Sequence, residues 1–253
     1  MTGAEPEGVT EVAPGVLRIH RATVNCYLLV TPDGLTLVDA GLPGMWRTLQ
    51  TALASIGARP GDISAIALTH GHFDHVGLCR RLRREHAVPA HVHPDDSRLV
   101  RHPYRYEHAR PRWAYPVRYP RILPVAARLT AAGALSVKGS DAIDDIRPGQ
   151  ALDIPGRPVP VFSPGHTDGH CGFLLPERGI LFSGDAIVTL DPYTGRTGPR
   201  MVARAATADV ARNARSLHAL AETDADLVLT GHGAPFAGGI RRAAAEARRA
   251  GIG

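Results

Sequence analysis

The sequence lacks the apolar segments that mark membrane and exported proteins. Across its 253 residues, no apolar run approaches the ~20 residues needed to cross a bilayer. The first residues, Met1–Glu7, are acidic and contain no apolar stretch of the kind found in secretory signals. We therefore expect neither a transmembrane segment nor an export signal.

Cysteine is also scarce. Cys26, Cys79 and Cys171 are odd in number and far apart, so they form neither a Cys-x-x-Cys pair nor a disulfide framework. Their pattern indicates a protein of the reducing cytoplasm.

Lysine is almost absent, and Lys138 is the only one. The net charge of +5 therefore comes from arginine, and a basic balance suggests nucleic-acid binding. However, the arginines spread over residues 80–121 and 241–249 without the ordered aromatic interleaving of a nucleic-acid motif. We favour a solvated or mixed surface, and we expect neither nucleic acid nor a membrane as partner.

The remaining composition, 44% hydrophobic and 21% charged, is that of a globular protein with a sizeable core. Apolar periodicity predicts an alternation of strands and helices. Strands are expected at 16–20, 25–30, 35–39, 63–68, 90–93, 150–154, 159–162, 171–175, 180–183 and 226–229, and helices at 45–56, 75–85, 125–132, 207–221 and 240–250. Two similar β/α halves without a linker predict an α/β fold, a four-layer α-β-β-α sandwich in one domain over residues 1–253.

One segment interrupts this pattern. From about residue 95 to residue 138, tyrosines and Trp113 lie among prolines and arginines. A long irregular insertion in a compact domain is usually functional or a lid. A surface decoration and a homo-oligomer interface are the alternatives, and the sequence leaves all three open.

The most informative segment places three imidazoles and a carboxylate in six consecutive positions, from His70 to His75. It directly follows the apolar run 63–68, which predicts a buried strand. His70 and His72 are two residues apart, so they project to the same side of an extended chain. The pair can supply one metal ion, and Asp74 with His75 can supply a neighbouring ion.

Three further polar turns follow strand-like runs, and they contain His166, Asp185 and His232. Strand ends converge on one edge of a sheet, where binding sites collect in α/β folds. A glycine beside each of the three residues permits a tight turn and a close backbone approach. We therefore expect the three turns to meet at one edge of a sheet, where a binding site can form.

This set, His70-x-His72-x-Asp74-His75 followed by His166, Asp185 and His232, resembles the metallo-β-lactamase superfamily. The segments 37–41 and 182–185 also look like recurring turns of that superfamily. The resemblance implies a sandwich of the metallo-β-lactamase type. It further implies a first metal on His70, His72 and His166, a second on Asp74, His75 and His232, Asp185 as the bridge, and supporting roles for Asp39 and His170.

Imidazole and carboxylate donors without thiolate suit two Zn²⁺ ions, with Mn²⁺ or Fe²⁺ as alternatives. A metal lowers the pKa of bound water to roughly 7. We expect the resulting hydroxide to attack a carbonyl carbon, with Asp74 orienting it and later carrying its proton. Tyr193, on the loop 189–200, is a candidate substrate contact, and a merely packed ring is the alternative.

The bridging Asp185 resembles the glyoxalase II and lactonase branches more than the lactamase members, which place cysteine or serine near this point. The leading hypothesis is therefore a dinuclear zinc-dependent hydrolase of a small ester, thioester or lactone. The alternatives are a β-lactam hydrolase, a mononuclear-iron persulfide dioxygenase, an RNA-processing nuclease and a non-catalytic, metal-stabilised binding module.

Overall fold

The computed structural model of the chain describes residues 7–110 and 114–252. Trp113 and residues 1–6 of the acidic N-terminal segment lie outside the described residues. Among the described residues, no helix has both the length and the apolar character that crossing a bilayer requires.

A sheet of mixed direction forms one half of the molecule. Its strands, in spatial as well as chain order, are β1 (Gly8–Ala13), β2 (Val16–Arg21), β3 (Val24–Thr31), β4 (Gly34–Val38), β5 (Ile63–Ala67) and β6 (Ala90–His91). The first four strands form an antiparallel meander, whereas β4, β5 and β6 run parallel. Most of β3 is buried on both faces because the sheet is covered on both sides.

A second sheet forms the other half, and a short hairpin extends from it. Its strands are β7 (Val159–Phe162), β8 (Cys171–Leu175), β9 (Ile180–Gly184) and β12 (Leu227–Thr230), in the spatial order β12-β9-β8-β7. The hairpin between β9 and β12 consists of β10 (Val188–Leu190) and β11 (Thr197–Arg200). Only the β12–β9 pair is parallel among the described pairs of this sheet.

Helices cover the outer face of each sheet. Helices α1 (Trp46–Ser55) and α2 (Cys79–His86) bury Leu49, Leu53 and Leu82 against the first sheet. On the second sheet, α6 (Val210–Ala221) and α7 (Ile240–Ala250) bury Leu217, Leu220 and Ile240.

A third apolar cluster, including Tyr27, Leu29, Phe173 and Phe182, fills the space between the sheets. The order of layers is therefore α-β-β-α, which confirms the predicted fold.

Two local predictions were wrong. Residues 150–154 form irregular chain instead of a strand, because turns at Pro148-Gly149 and Pro155-Gly156 bound them closely on either side. The helix predicted from His75 begins only at Cys79, because the backbone N–H groups of Gly77 and Leu78 donate to the carbonyl groups of Gly41 and Ala40. This pairing fixes the end of the histidine motif against the loop after β4.

The insertion contains short helices, α3 (Ser97–Arg101), α4 (Ala114–Arg118) and α5 (Leu123–Ala131). Tyr106 is buried with Val202 and Ala206, and Tyr115 with Ala203 and Ala205. These two tyrosines of the insertion therefore pack against the chain that follows the β10–β11 hairpin.

The three cysteines are unpaired and lie in the interior, at most 1% exposed. Burial raises the pKa of each thiol above its ordinary value. We expect the native protein to resist alkylation by iodoacetamide at pH 8, because reaction requires an accessible thiolate. Mass spectrometry before and after unfolding in guanidinium checks this. Rapid modification of the native protein at any of the three sites would contradict the described packing.

Candidate metal centre

The residues predicted to bind metal meet at one end of the two sheets. The segment 69–75 follows β5 of the first sheet, whereas His166, Asp185 and His232 follow β7, β9 and β12 of the second. The backbone N–H of Cys171 donates to the carbonyl oxygen of Thr69 at 2.9 Å, which joins the two sheets at this point. The centre therefore lies on the seam between the sheets.

The donor atoms fall into three overlapping groups of buried residues. Within each group, one ligand atom per residue lies within 4.8 Å of the others. The groups are His70 with His72 and His166, His70 with His75 and Asp185, and Asp74 with His75 and His232. All seven residues named from the sequence are thus brought together, and the first and last groups contain the two sets expected for two metals.

Asp185 lies between these two sets. Its Oδ2 atom is 3.5 Å from Nε2 of His166 and 3.2 Å from Nε2 of His232. Its Oδ1 atom is 3.5 Å from Nε2 of His75. A carboxylate in this position can reach a cation in either set, which is the geometry a bridging ligand needs.

The electrostatics differ between the two sets. Burial, together with the neighbouring imidazoles, holds the pKa of His70 and of His166 well below the usual value, so both rings are neutral and can donate a lone pair. Burial also opposes charge on His232, but Asp185 and Asp74 outweigh it and raise the pKa of His232 to about 10. The carboxylates on this side therefore favour a cation among them.

The donor set fits divalent metal ions. Nε2 of His70, Nε2 of His75 and Oδ1 of Asp185 are buried and make no hydrogen bond to the part of the chain that the structure describes. Buried polar atoms are normally paired, and each unpaired one costs free energy. Metal ions coordinated by these nitrogen and oxygen atoms would satisfy them, and Zn²⁺ accepts this mixture of ligands.

The chain matches a known protein family over most of its length. A family model described as the Metallo-beta-lactamase superfamily matches residues 21–232, which include every donor named above. The chain belongs to the metallo-β-lactamase superfamily.

Individual members of the superfamily support this placement. The chain is 27% identical to the "Probable metallo-hydrolase YflN" of Bacillus subtilis, over 90% of this chain and 87% of that protein. It is 30% identical to the "N-acyl homoserine lactonase AttM" of Azorhizobium caulinodans, over 84% of this chain and 82% of that protein.

Solved structures show the same fold. The crystal structure of the metallo-beta-lactamase family protein TTHA1429 from Thermus thermophilus has a TM-score of 0.67 and 27% identity, and the alignment covers 93% of this chain and 79% of that one. BJP-1, a subclass B3 metallo-beta-lactamase of Bradyrhizobium japonicum, has a TM-score of 0.68 at 17% identity, with 97% and 92% covered. At that identity the likeness concerns the fold alone.

Asp39 orients two of the superfamily donors from behind. It adopts a left-handed backbone conformation with φ 58°, which is uncommon for a residue other than glycine. Its carboxylate accepts from Nδ1 of His75 at 2.9 Å and from the backbone N–H of Thr69 at 2.8 Å. The Thr69 hydroxyl lies 3.0 Å from Nδ1 of His70. Because Nδ1 of each ring is engaged, Nε2 is directed to the centre.

His170 contacts the centre without joining a donor group. Its Nδ1 atom lies 2.8 Å from the Ser163 hydroxyl, and its Nε2 atom accepts from the backbone N–H of Asp185 at 3.1 Å. Burial, and then the nearby His166, lowers the pKa of His170 to about 3, so the ring is neutral and can accept. It thereby fixes the backbone of the central carboxylate.

The side chains that hold the turn around His232 were not predicted from the sequence. Asn25 donates to the carbonyl oxygens of Thr230 and Gly233, each at 2.8 Å, and Tyr27 donates to Thr230 at 2.7 Å. Arg18 donates to the same Gly233 oxygen at 2.9 Å. These residues lie on β2 and β3, where a strand pattern carries no signal of contact with a distant turn.

The open side of the donor cluster faces a chamber of about 10 Å³. Tyr106 of the insertion and Tyr193 of the β10–β11 hairpin both line it, with their hydroxyl oxygens 3.4 Å apart. The Tyr106 ring centroid is 4.1 Å from that of His72. The sequence predicted a contact for Tyr193 but gave no reason to single out Tyr106.

A substitution at Gly231 tests how tightly the centre is packed. A Cβ atom at this position would lie 2.1 Å from Oδ1 of Asp185 and 2.8 Å from Cε1 of His75. We expect Gly231→Ala to displace Asp185 and to lower zinc affinity by about tenfold or more, in the range of changes next to metal ligands. Gly61→Ala is the matched control, since its Cβ would meet only one atom, at an ordinary 3.8 Å. Competition with a chromophoric chelator measures both, and equal affinities would contradict the geometry.

Proposed function

We propose that the protein is a dinuclear, zinc-dependent hydrolase of a small ester, thioester or lactone. The observation that carries this proposal is the position of Asp185, whose Oδ2 lies 3.5 Å from His166 and 3.2 Å from His232. A single carboxylate placed between two complete donor sets favours two ions over one. Membership of the superfamily and the wholly imidazole and carboxylate donor set make the chain a metal-dependent hydrolase.

Bound zinc supplies a Lewis acid for the carbonyl oxygen and a hydroxide nucleophile near neutral pH. His70, His72 and His166 would hold the first ion, Asp74, His75 and His232 the second, and Asp185 both. The residues themselves keep the donor atoms fixed: Asp39 holds His75, and the Thr23 carbonyl oxygen accepts from Nδ1 of His232 at 3.1 Å. This preorganisation means that the donor atoms themselves need little rearrangement during the reaction.

Asp74 is the donor best placed to handle a proton. Its side chain is 11% exposed, against 4% for Asp185, and both residues line the chamber. Its Oδ2 atom lies 3.3 Å from Nε2 of His232. We assign the proton released during hydrolysis to the other carboxylate oxygen of Asp74, from which the leaving group can take it.

The relatives favour a lactone or ester over a β-lactam. AttM, named as an N-acyl homoserine lactonase, is 30% identical over most of both chains, whereas the β-lactamase BJP-1 shares only the fold at 17% identity. The chamber wall includes Phe73, Tyr106, Pro192 and Val202. Such a wall suits an uncharged substrate with an apolar substituent.

The three buried free cysteines fit a reducing, cytoplasmic location for the protein.

We further propose that the chain is one domain with the insertion 95–138 as its substrate lid. A chamber of about 10 Å³ holds at most one water molecule, which needs roughly 10–15 Å³. Tyr106 also lines a neighbouring pocket of about 310 Å³, together with His166. Movement of the Tyr106 side chain would join the two spaces and admit a small ligand.

The proposed activity is tested with zinc-loaded protein on a panel of lactones, thioesters and aryl esters. We expect turnover of at least one class, loss of turnover on metal removal with a chelator, and recovery with Zn²⁺. His72→Ala should lower kcat/KM by at least about a thousandfold, because it removes a ligand of the first metal. His218→Ala is the control, because this exposed side chain on α6 lies 3.1 Å from Glu222 and does not contact the centre; the change should leave turnover unchanged.

Two results would count against this function. Absence of hydrolysis across the panel by protein that holds two zinc equivalents would refute the substrate class. Oxygen consumption with a single bound iron would instead support the persulfide dioxygenase alternative.

The lid is tested by Tyr106→Ala. Removal of the ring enlarges the chamber, so we expect kcat/KM for a hexanoyl ester to rise relative to the acetyl ester by about tenfold, a shift typical of pocket volume changes. Tyr119→Ala is the control, because that ring does not line the chamber. An unchanged chain-length preference in Tyr106→Ala would contradict the assignment of Tyr106 to the lid.

A further inference from the structure

We propose that Asp96 is a positioning residue that fixes the distance between the loop with His70 and His72 and the loop with His166. It would thereby determine the metal affinity of the first position without affecting that of the second. The inference rests on the proposed two-metal function. Asp96 lies in the turn after β6, at the start of the insertion, and it belongs to none of the donor groups.

The carboxylate of Asp96 joins the two loops directly. The side chain is buried, with 1% exposure. Its Oδ2 atom accepts from the backbone N–H of Gly71 and from the hydroxyl of Thr167, each at 2.8 Å. Its Oδ1 atom accepts from the backbone N–H of Gly169 at 2.8 Å. Gly71 separates the two histidines of the first loop, and Thr167 follows His166, so one side chain spans both sources of the first ligand set.

Close backbone packing makes this connection rigid. A Cβ atom at Gly169 would lie 2.7 Å from the backbone nitrogen of Asp96, and one at Gly71 would lie 2.8 Å from that of Val100. Both loops therefore press against the segment that contains Asp96. A displacement of the carboxylate would break at least one of its hydrogen bonds to the loops.

The second ligand set has different supports. His75 is held by Asp39, and His232 by the Thr23 carbonyl oxygen. Among the hydrogen bonds of the described residues, none joins Asp96 to Asp74, His75 or His232. The loss of the Asp96 contacts should therefore weaken the first metal position and leave the second nearly unchanged.

The position requires a carboxylate, because two of its three partners are backbone N–H groups that can only donate. An asparagine has one acceptor oxygen and one NH₂ group. If the NH₂ group took the place of Oδ2, it would face the N–H of Gly71, and in place of Oδ1 it would face that of Gly169. Either orientation sets donor against donor, so Asp96→Asn breaks the joint with almost no change of volume.

The experiment is a titration of metal-free protein with Co²⁺, followed by its visible absorption, and a separate measurement of zinc content after loading and desalting. For wild type we expect two equivalents. For Asp96→Asn we expect one metal position to weaken by about 10- to 100-fold, as for other partners of ligand-bearing groups, so that desalted protein retains close to one zinc. Asp95→Asn makes the same chemical change at a neighbouring carboxylate that is 54% exposed, and it should match wild type.

Thr167→Val provides a milder second variant, because it removes the hydroxyl and leaves both backbone hydrogen bonds. It should weaken the same metal position to a smaller degree. A purely structural role of Asp96 would lower the stability of the metal-free protein but leave two equivalents bound to the folded fraction.

The outcomes separate the two proposals. Two equivalents with unchanged affinity in Asp96→Asn would overturn this inference and leave the proposed function intact. If Asp96→Asn does not fold, wild-type affinity at both positions in Thr167→Val would overturn it. A wild-type protein that binds fewer than two metals would refute the two-metal function itself.

Discussion

The rest of the structure depends on one interaction, the electrostatic attraction between buried imidazoles and carboxylates at the seam between the sheets. Asp39, Asp74 and Asp185 are each at most 8% exposed, and burying a carboxylate without compensation is costly. The partners at hand are histidines, and two of these, His75 and His232, have pKa values raised by the carboxylates. The cluster is therefore built to hold cations, and the proposed zinc ions carry more charge than the protons they would replace.

The two sheets together bring the metal ligands to one place. Four of the ligands follow β5 in the first sheet, and the other three follow β7, β9 and β12 in the second. Each of the two ligand sets therefore needs residues from both sheets. The apolar cluster between the sheets, with Tyr27 and Phe182 in edge-to-face contact at 5.3 Å, fixes their separation, and the backbone contact from Cys171 to Thr69 fixes their register.

Much of this was predictable because it depends on local patterns. The spacing of His70, His72, Asp74 and His75 after an apolar run identified the motif, and glycine-containing turns identified His166, Asp185 and His232. Asp96 and Asn25 were not predictable: the partners of the Asp96 carboxylate lie 25, 71 and 73 residues away in sequence, and the carbonyl oxygens to which Asn25 donates lie more than 200 residues away. Their roles arise from tertiary packing, which no short spacing encodes. The start of α2 was misjudged for the same reason, because contacts with residues 40–41 delay the helix.

The metal ligands lie on the seam between the two sheets. Residues such as Asp39 orient them from the protein interior, and Tyr106 and Tyr193 line the chamber on their open side. We propose that Asp185 bridges two metal ions. Anomalous diffraction at the zinc edge from crystals of the zinc-loaded protein tests it most directly. We expect two anomalous peaks, one at the His70, His72 and His166 set and one at the Asp74, His75 and His232 set, with carboxylate density of Asp185 reaching both. A single peak, or two peaks of which Asp185 contacts only one, would contradict it.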